Sequence, residues 1–293
     1  MIQIRGRSNK GKSEVVDQLD TIGLVLGPYR NLTTLTASIL SLHPQCQVLN
    51  HAAERILTSK RDFLSSYSDD RLRAFCSAAM EASTGGRRGD YGGSILYSHA
   101  FESDELKSLY ENRYGQSAMK DSPTCLIWKE SQFVTDRIRE VPGKIEDLVA
   151  NAPKLRFLLP VRQPLDCAMS NLRTGHALRI GGAETSRTGV LEKILETTAW
   201  FGELQMQYPD RFFMFLQNDD PKDLCIGMSK VLEISDDEQW ESAVRVAYDI
   251  KGRDYQHHED MYQTFESCLE KYFDNLPEIA GKLRSMVSVP GIS

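Results

Sequence analysis

The sequence predicts an α/β fold of three layers, with a mainly parallel central sheet flanked by helices on both faces. Three observations carry that reading. Short apolar runs without polar alternation recur along the 293 residues, as strands covered on both faces require. Stretches with apolar residues at helical spacing separate those runs. No linker or internal repeat divides the chain, so the expected organisation is a polar segment over 1–20 followed by a single domain over 21–293, long enough to bury a sizeable core.

Taken in order, Ile22 to Leu26 is an apolar strand ending at Gly27-Pro28. A helix follows from Thr33, where Leu35, Ile39 and Leu42 fall on one face. Strand, tight loop and helix in succession set backbone N–H groups and a helix dipole against an anion. Val48-Leu49 predicts a second strand, 52–83 a helical stretch, and Thr84 to Ser94 a glycine-rich loop. Cys125 to Trp128 and Leu155 to Leu159 are further buried strands, and Pro160 is expected to stop the second one's ladder. A helix around Asp166 to Leu172, a loop over Gly175 to Gly189 and a helix from about Leu191 to Tyr208 come next. Phe212 to Leu216 is the last strand, before a mostly helical remainder with a polar interruption at Asp249 to His258.

Composition narrows the function classes. Thirty-five Lys and Arg against 41 Asp and Glu give a net charge of −6, which argues against a protein that wraps nucleic acid or an anionic membrane surface. Local basic sites remain compatible with that balance. No apolar run resembles a signal peptide or a membrane span. Six cysteines stand singly with no CxxC pair, which predicts buried thiols and a cytoplasmic setting.

Two segments compete as phosphate loops. Gly6 to Ser13 fits G-x-x-x-x-G-K-S letter for letter, but only Met1 to Arg5 precede it and Gln3 and Arg5 break the strand that such a loop needs. Gly27 to Thr34 has the right context without those letters. There Arg30 can reach a phosphate at the helix start, and Thr33 and Thr34 offer hydroxyls and N–H groups; a simple capped helix is the competing reading.

A second segment decides between these readings. Lys154 to Asn171 runs as a strand, then Arg162-Gln163-Pro164-Leu165-Asp166, then a helix carrying Ser170 eight residues after the arginine. This pattern resembles the 3′-phosphate-binding motif of the PAPS-dependent sulfotransferases, a family with a P-loop NTPase-like fold. Arg30 to Leu35 resembles the 5′-phosphosulfate loop of the same family, with Asn31 and Leu32 standing where it has Ser and Gly. Leu40 to Pro44 resembles the end of the helix after that loop, and the two motifs lie about 130 residues apart in the expected order.

The resemblance implies sulfuryl transfer from 3′-phosphoadenosine 5′-phosphosulfate (PAPS) to a hydroxyl or amine, leaving adenosine 3′,5′-bisphosphate (PAP), with no metal. It assigns Arg30 to charge stabilisation at the bridging oxygen and Asn31, Leu32, Thr33 and Thr34 to the 5′ end of the donor. Arg162 and Ser170 go to the 3′-phosphate, and Lys251, Gly252 and Arg253 to a late segment closing over it. Lys129 matches the lysine of the family's Lys-Thr-His pattern, while Ser131 stands at the histidine. Other branches of the family, acting on carbohydrate or protein tyrosine, place a Glu just after the strand that follows the His-Pro pair. The resemblance puts His51 near that position and Glu54 one helical turn on, as competing candidates for the base; an unperturbed histidine suits that task near neutrality. His43, His99 and His176 are assigned to structure, and His257-His258 to an exposed turn or lid. The glycine-rich loops around Arg87-Arg88 and Arg179 to Arg187 are expected to wall an acceptor site for a small molecule or glycan. A nucleotide-binding protein without turnover, and a kinase using Gly6 to Ser13, are the alternatives.

Overall fold

Five strands form one sheet: β1 (Thr21–Val25), β2 (Cys46–Asn50), β3 (Cys125–Lys129), β4 (Leu155–Val161) and β5 (Phe212–Leu216), in the spatial order β2-β3-β1-β4-β5. Every pairing is parallel, so the C-terminal ends of all five strands lie along one edge. The computed structural model describes residues 16–87, 92–141, 143–181, 186–248 and 255–287. Gly6 to Ser13, Arg88, Lys251, Gly252 and Arg253 lie outside them, as does any test of the loop match at the N-terminus.

The helices are α1 (Thr33–Ser41), α2 (Ala53–Ile56), α3 (Asp69–Ser83), α4 (Asp104–Tyr114), α5 (Gln132–Arg139), α6 (Lys144–Asn151), α7 (Pro164–Arg173), α8 (Ala177–Gly181), α9 (Arg187–Gln207), α10 (Pro221–Leu232), α11 (Glu238–Ala247), α12 (Glu259–Tyr272) and α13 (Pro277–Met286). They make two cores, one on each face. Leu24, Trp128, Phe157 and Leu159 point into a core with α3, α7, α9 and α12. Val25, Ile127 and Leu158, the alternate positions, point into a core with α1, α4, α10 and α11. Both faces of each strand are thus buried, which explains the unbroken apolar runs and confirms the three-layer α/β expectation. Leu19 already belongs to the first core. All six cysteines are buried.

Three local expectations need correction. The stretch 52–83 is not one helix: α2 ends at Ile56, and α3 begins only where the Ser68 hydroxyl accepts from the Arg71 N–H. Ser and Asp crowd that boundary, and such residues favour caps over helix interiors. The loop expected over Gly175 to Gly189 contains α8, and α9 starts at Arg187. Finally, Pro160 does not end β4, because it pairs with Phe215 in β5. Leu158 accepts from Leu26 on the β1 side and Val161 accepts from Gln217 on the β5 side. By alternation, the missing N–H of Pro160 faces the β1 side just past the end of β1, where no ladder bond is lost.

Candidate active site

In a parallel sheet, ligands bind beyond the carboxyl ends of the strands, where neighbouring connections leave in opposite directions. Here that point lies between β1, whose chain departs toward β2, and β4, whose chain departs toward β5. A cavity of about 340 Å³ opens there. Arg30, Lys129, Arg162 and Arg179 line it with Leu32, Thr33, Thr34, Asn50, His51, Ser98, His99 and His176, and no carboxylate is among the lining residues.

Asn31 fastens the two loops that the sequence motifs occupy. Its side chain is fully buried; the amide N–H donates to the Pro160 carbonyl, and Oδ1 accepts from the Arg162 N–H at 2.8 Å. The carboxamide thereby acts as one more peptide group in the β1–β4 ladder and occupies the acceptor that Pro160 leaves beyond the strand end. Asn31 was expected to bind the donor, but its side chain is committed inside the protein. On the other flank the Tyr29 carbonyl accepts from buried Asn171 Nδ2 at 2.7 Å. Gly27 is required where it is: its φ is +113°, and a Cβ there would lie 2.6 Å from Leu159 Cδ1.

The loop twists through two left-handed residues, Arg30 (φ 64°) and Leu32 (φ 62°). Leu32 thus adopts the conformation for which glycine is ordinarily used, and α1 starts directly after it. Thr34 faces the cavity; the Thr33 hydroxyl is buried and accepts from Ser131 Oγ at 2.8 Å. The residue expected at a catalytic histidine position is therefore a tie between the β3 loop and the start of α1. Arg30 Nε donates to Ser170 Oγ at 3.1 Å, and Ser170 is fully buried behind it. The two were assigned to opposite ends of the donor, yet they touch.

Arg162 sits beside Asp166 (3.4 Å) and near the Tyr255 ring (5.6 Å), while His257 Nε2 lies 2.9 Å from the other Asp166 oxygen. His257 is therefore a half-buried partner of the arginine loop rather than an exposed turn. His43, assigned to structure, is fully buried against Trp240 with Nε2 at the Ser235 carbonyl.

At the β2–β3 end, Lys129 Nζ lies 2.8 Å from His51 Nε2, and His51 Nδ1 lies 3.2 Å from Glu130 Oε1. A lysine ammonium can only donate, so Nε2 is the acceptor and Nδ1–H donates to Glu130. The second Glu130 oxygen accepts from the Ala53 N–H, and the carboxylate is buried. Both nitrogens of His51 are thus engaged. Glu54 lies apart, in a neighbouring recess of about 200 Å³ with Arg55, Glu130 and Phe133, which shares Tyr29 and Arg179 with the main cavity.

No protein-family model matches the chain, and no curated protein matches it. Among solved structures it is similar to the sulfotransferase STF9 from Mycobacterium avium, with a TM-score of 0.42 and 14% identity over 91% of this chain and 80% of that one. That likeness is too distant to bear on the chemistry.

Sequence reasoning missed Asn50, Ser98, His99 and His176, which it left in strand ends and loops or assigned to structure. An isolated bridge between Leu49 and Ser94 lays the segment after the glycine-rich loop along β2 and brings Ser98 and His99 over the cavity. Partial burial, then the charges of Arg30 and Lys129, lower the His99 pKa below the ordinary histidine value. Arg179 lines the cavity, whereas Arg187 is paired with Asp260 at 2.8 Å. Backbone strain marks the same edge: of six non-glycine residues with positive φ among the described residues, Arg30, Leu32, His51, Ala52 and Ser131 all follow β1, β2 or β3. No group of three or more His, Cys, Asp or Glu able to hold a metal occurs among the described residues, and none of their helices is long and apolar enough to cross a membrane.

Proposed function

We propose that this chain is a PAPS-dependent sulfotransferase, a cytoplasmic enzyme that moves a sulfuryl group from PAPS to a small-molecule or glycan acceptor by in-line displacement. The observation that carries the reading is the cavity at the β1/β4 switch point, lined by four cations and no carboxylate. Such a site suits a small polyanion, even in a chain of net charge −6. The two motif segments also meet there, through Asn31 and through the Arg30–Ser170 contact.

In this reading the first turn of α1, with Leu32, Thr33 and Thr34, holds the 5′-phosphate with its N–H groups and the Thr34 hydroxyl. Arg162 holds the 3′-phosphate, with Ser170 setting the direction of Arg30. Lys251, Gly252 and Arg253 would add to the 3′ end. Arg30 and Lys129 offset the charge that grows on the departing phosphate oxygen, where a preorganised cation lowers the barrier most. His51, held by Glu130, orients Lys129 toward that oxygen. Glu54 belongs to the recess beside it, on the acceptor side.

Calorimetric titration with adenosine 3′,5′-bisphosphate and with ADP tests the reading. The bisphosphate should bind at least tenfold more tightly, because the 3′-phosphate adds charge-assisted contacts. A preference for ADP or ATP with Mg²⁺ would overturn the reading in favour of a kinase. Bisphosphate binding without any sulfated product would leave a nucleotide-binding protein.

A further inference from the structure

Asn31 fixes Arg162 only at its backbone N–H, so the guanidinium is set from elsewhere. Asp166, in the first turn of α7, puts Oδ2 3.4 Å from a terminal nitrogen of Arg162. Its other oxygen, Oδ1, lies 2.9 Å from His257 Nε2. A carboxylate can only accept, so Nε2 carries the hydrogen and donates it. The side chains of Arg162 and His257 are each 11% exposed and that of Asp166 14%, so the row of three is set into the protein. Of the three, only Arg162 lines the cavity.

His257 is itself held in place. It stands just before α12, and its ring meets that of Tyr262 edge to face, with the centroids 6.1 Å apart. Tyr262 packs on the core beneath that helix. Tyr255, two residues before His257, has its ring centroid 5.6 Å from the guanidinium carbons of both Arg162 and Arg173, within the range of a cation–π contact. The segment leading into α12 therefore acts on Arg162 twice, once through Asp166 and once through a ring.

Asp166 is a rival of any phosphate for Arg162. Free at both oxygens, it would take the guanidinium in a two-bond fork, the arrangement that arginine and carboxylate favour. His257 occupies the oxygen that would complete the fork. Arg162 keeps one long contact with Asp166, and its remaining N–H donors are left for a ligand. A side chain steadied in advance also lowers the ordering cost of binding.

We propose that His257 is a positioning residue: by holding Asp166 out of that fork, with Tyr255 against the guanidinium, it keeps Arg162 presented to the cavity. It thereby sets the preference for a nucleotide that carries a 3′-phosphate, which rests on the sulfotransferase reading above.

Calorimetric titration of the full chain with adenosine 3′,5′-bisphosphate and with ADP tests the proposal. His257→Phe keeps a ring against Tyr262 and removes the N–H. Its bisphosphate affinity should fall about tenfold, the lower end of the loss expected for a charge-assisted contact, while its ADP affinity holds. His257→Gln returns an N–H donor near the place of Nε2 and should recover most of that loss. A packing role alone would give the opposite order, with Phe the better substitute. Should His257→Phe fail to fold, Tyr255→Leu takes the ring from Arg162 and should likewise weaken bisphosphate and spare ADP. The proposal is overturned if the folded variant binds bisphosphate as the wild type does, if both nucleotides weaken equally, or if Phe serves better than Gln. A wild type that binds the two nucleotides alike overturns the sulfotransferase reading, and this proposal with it, so the wild type alone tells the two failures apart.

Discussion

The cavity has two halves built on different terms. On the β1–β4 side the two loops are stitched within the protein: Asn31 takes the Pro160 carbonyl and the Arg162 N–H, Asn171 Nδ2 takes the Tyr29 carbonyl while its Oδ1 has no partner, and Arg30 rests on Ser170. On the β2–β3 side the chain from Lys129 through His51 and Glu130 to the Ala53 N–H is closed as well, but Asn50 Oδ1 and Ser98 Oγ are buried without a partner. A closed half is preorganised and presents fixed charge to whatever binds, at little cost on binding. Buried atoms without a partner carry their desolvation cost. The contrast is one of degree: the β1 and β4 loops are stitched to each other through Asn31, whereas the end of β2 and the Ser98 segment leave two polar atoms unpaired.

The sharpest way to break the closed half is Asn31→Leu. It keeps the bulk but orphans the Pro160 carbonyl and the Arg162 N–H, so chemical denaturation should show a loss of about 2–6 kcal/mol, the sum of two unmade buried bonds. Bisphosphate binding should be lost with it, because the Arg30 and Arg162 loops are no longer held together. Little change in stability would mean that the two loops find each other without the stitch. A smaller effect is expected from Arg162→Ala, which removes charge and leaves the backbone bond to Asn31 in place. Bisphosphate affinity should fall by about 1.5–3 kcal/mol with folding stability nearly unchanged. If ADP affinity fell equally, Arg162 would not serve the 3′-phosphate.

The same division explains what could be read from the sequence. The sheet was legible because every strand is buried on both faces, which leaves unbroken runs such as Phe212 to Leu216. Arg30, Thr34 and Arg162 were expected to lie together, and they line one cavity because each follows the C-terminal end of a strand and a parallel sheet brings those ends to one edge. Asn31 was assigned to the ligand because no local pattern reveals a contact with Pro160, 129 positions away. Asn50, Ser98 and His99 escaped notice for a related reason. A strand-end asparagine and a Ser-His pair in a short helix carry no periodic signal, and only the antiparallel contact of Ser94 with Leu49 brings them over the cavity. Loop 57–68 was hidden by residues that suit helices and caps alike.

The smallest effect expected comes from Leu32, and it separates the backbone of the closed half from its side chains. Leu32 is left-handed at φ 62° and ψ 8°, and its carbonyl accepts from both the N–H and the hydroxyl of Thr36 as α1 begins. A side chain in that region costs roughly 1–2 kcal/mol relative to the right-handed form. Glycine relieves that strain, but its freer unfolded chain returns roughly 0.5–1 kcal/mol of the gain. Leu32→Gly should therefore raise stability by up to about 1 kcal/mol, read by denaturation. Bisphosphate affinity should hold or improve, since the Leu32 side chain lines the cavity where a phosphate would approach the chain. Arg30→Gly removes comparable strain at φ 64° but also a charge, and it should lose affinity. If Leu32→Gly instead destabilised the protein by more than about 1 kcal/mol, the leucine would be holding the loop by packing, and the closed half would depend on side-chain burial as well as on the Asn31 stitch.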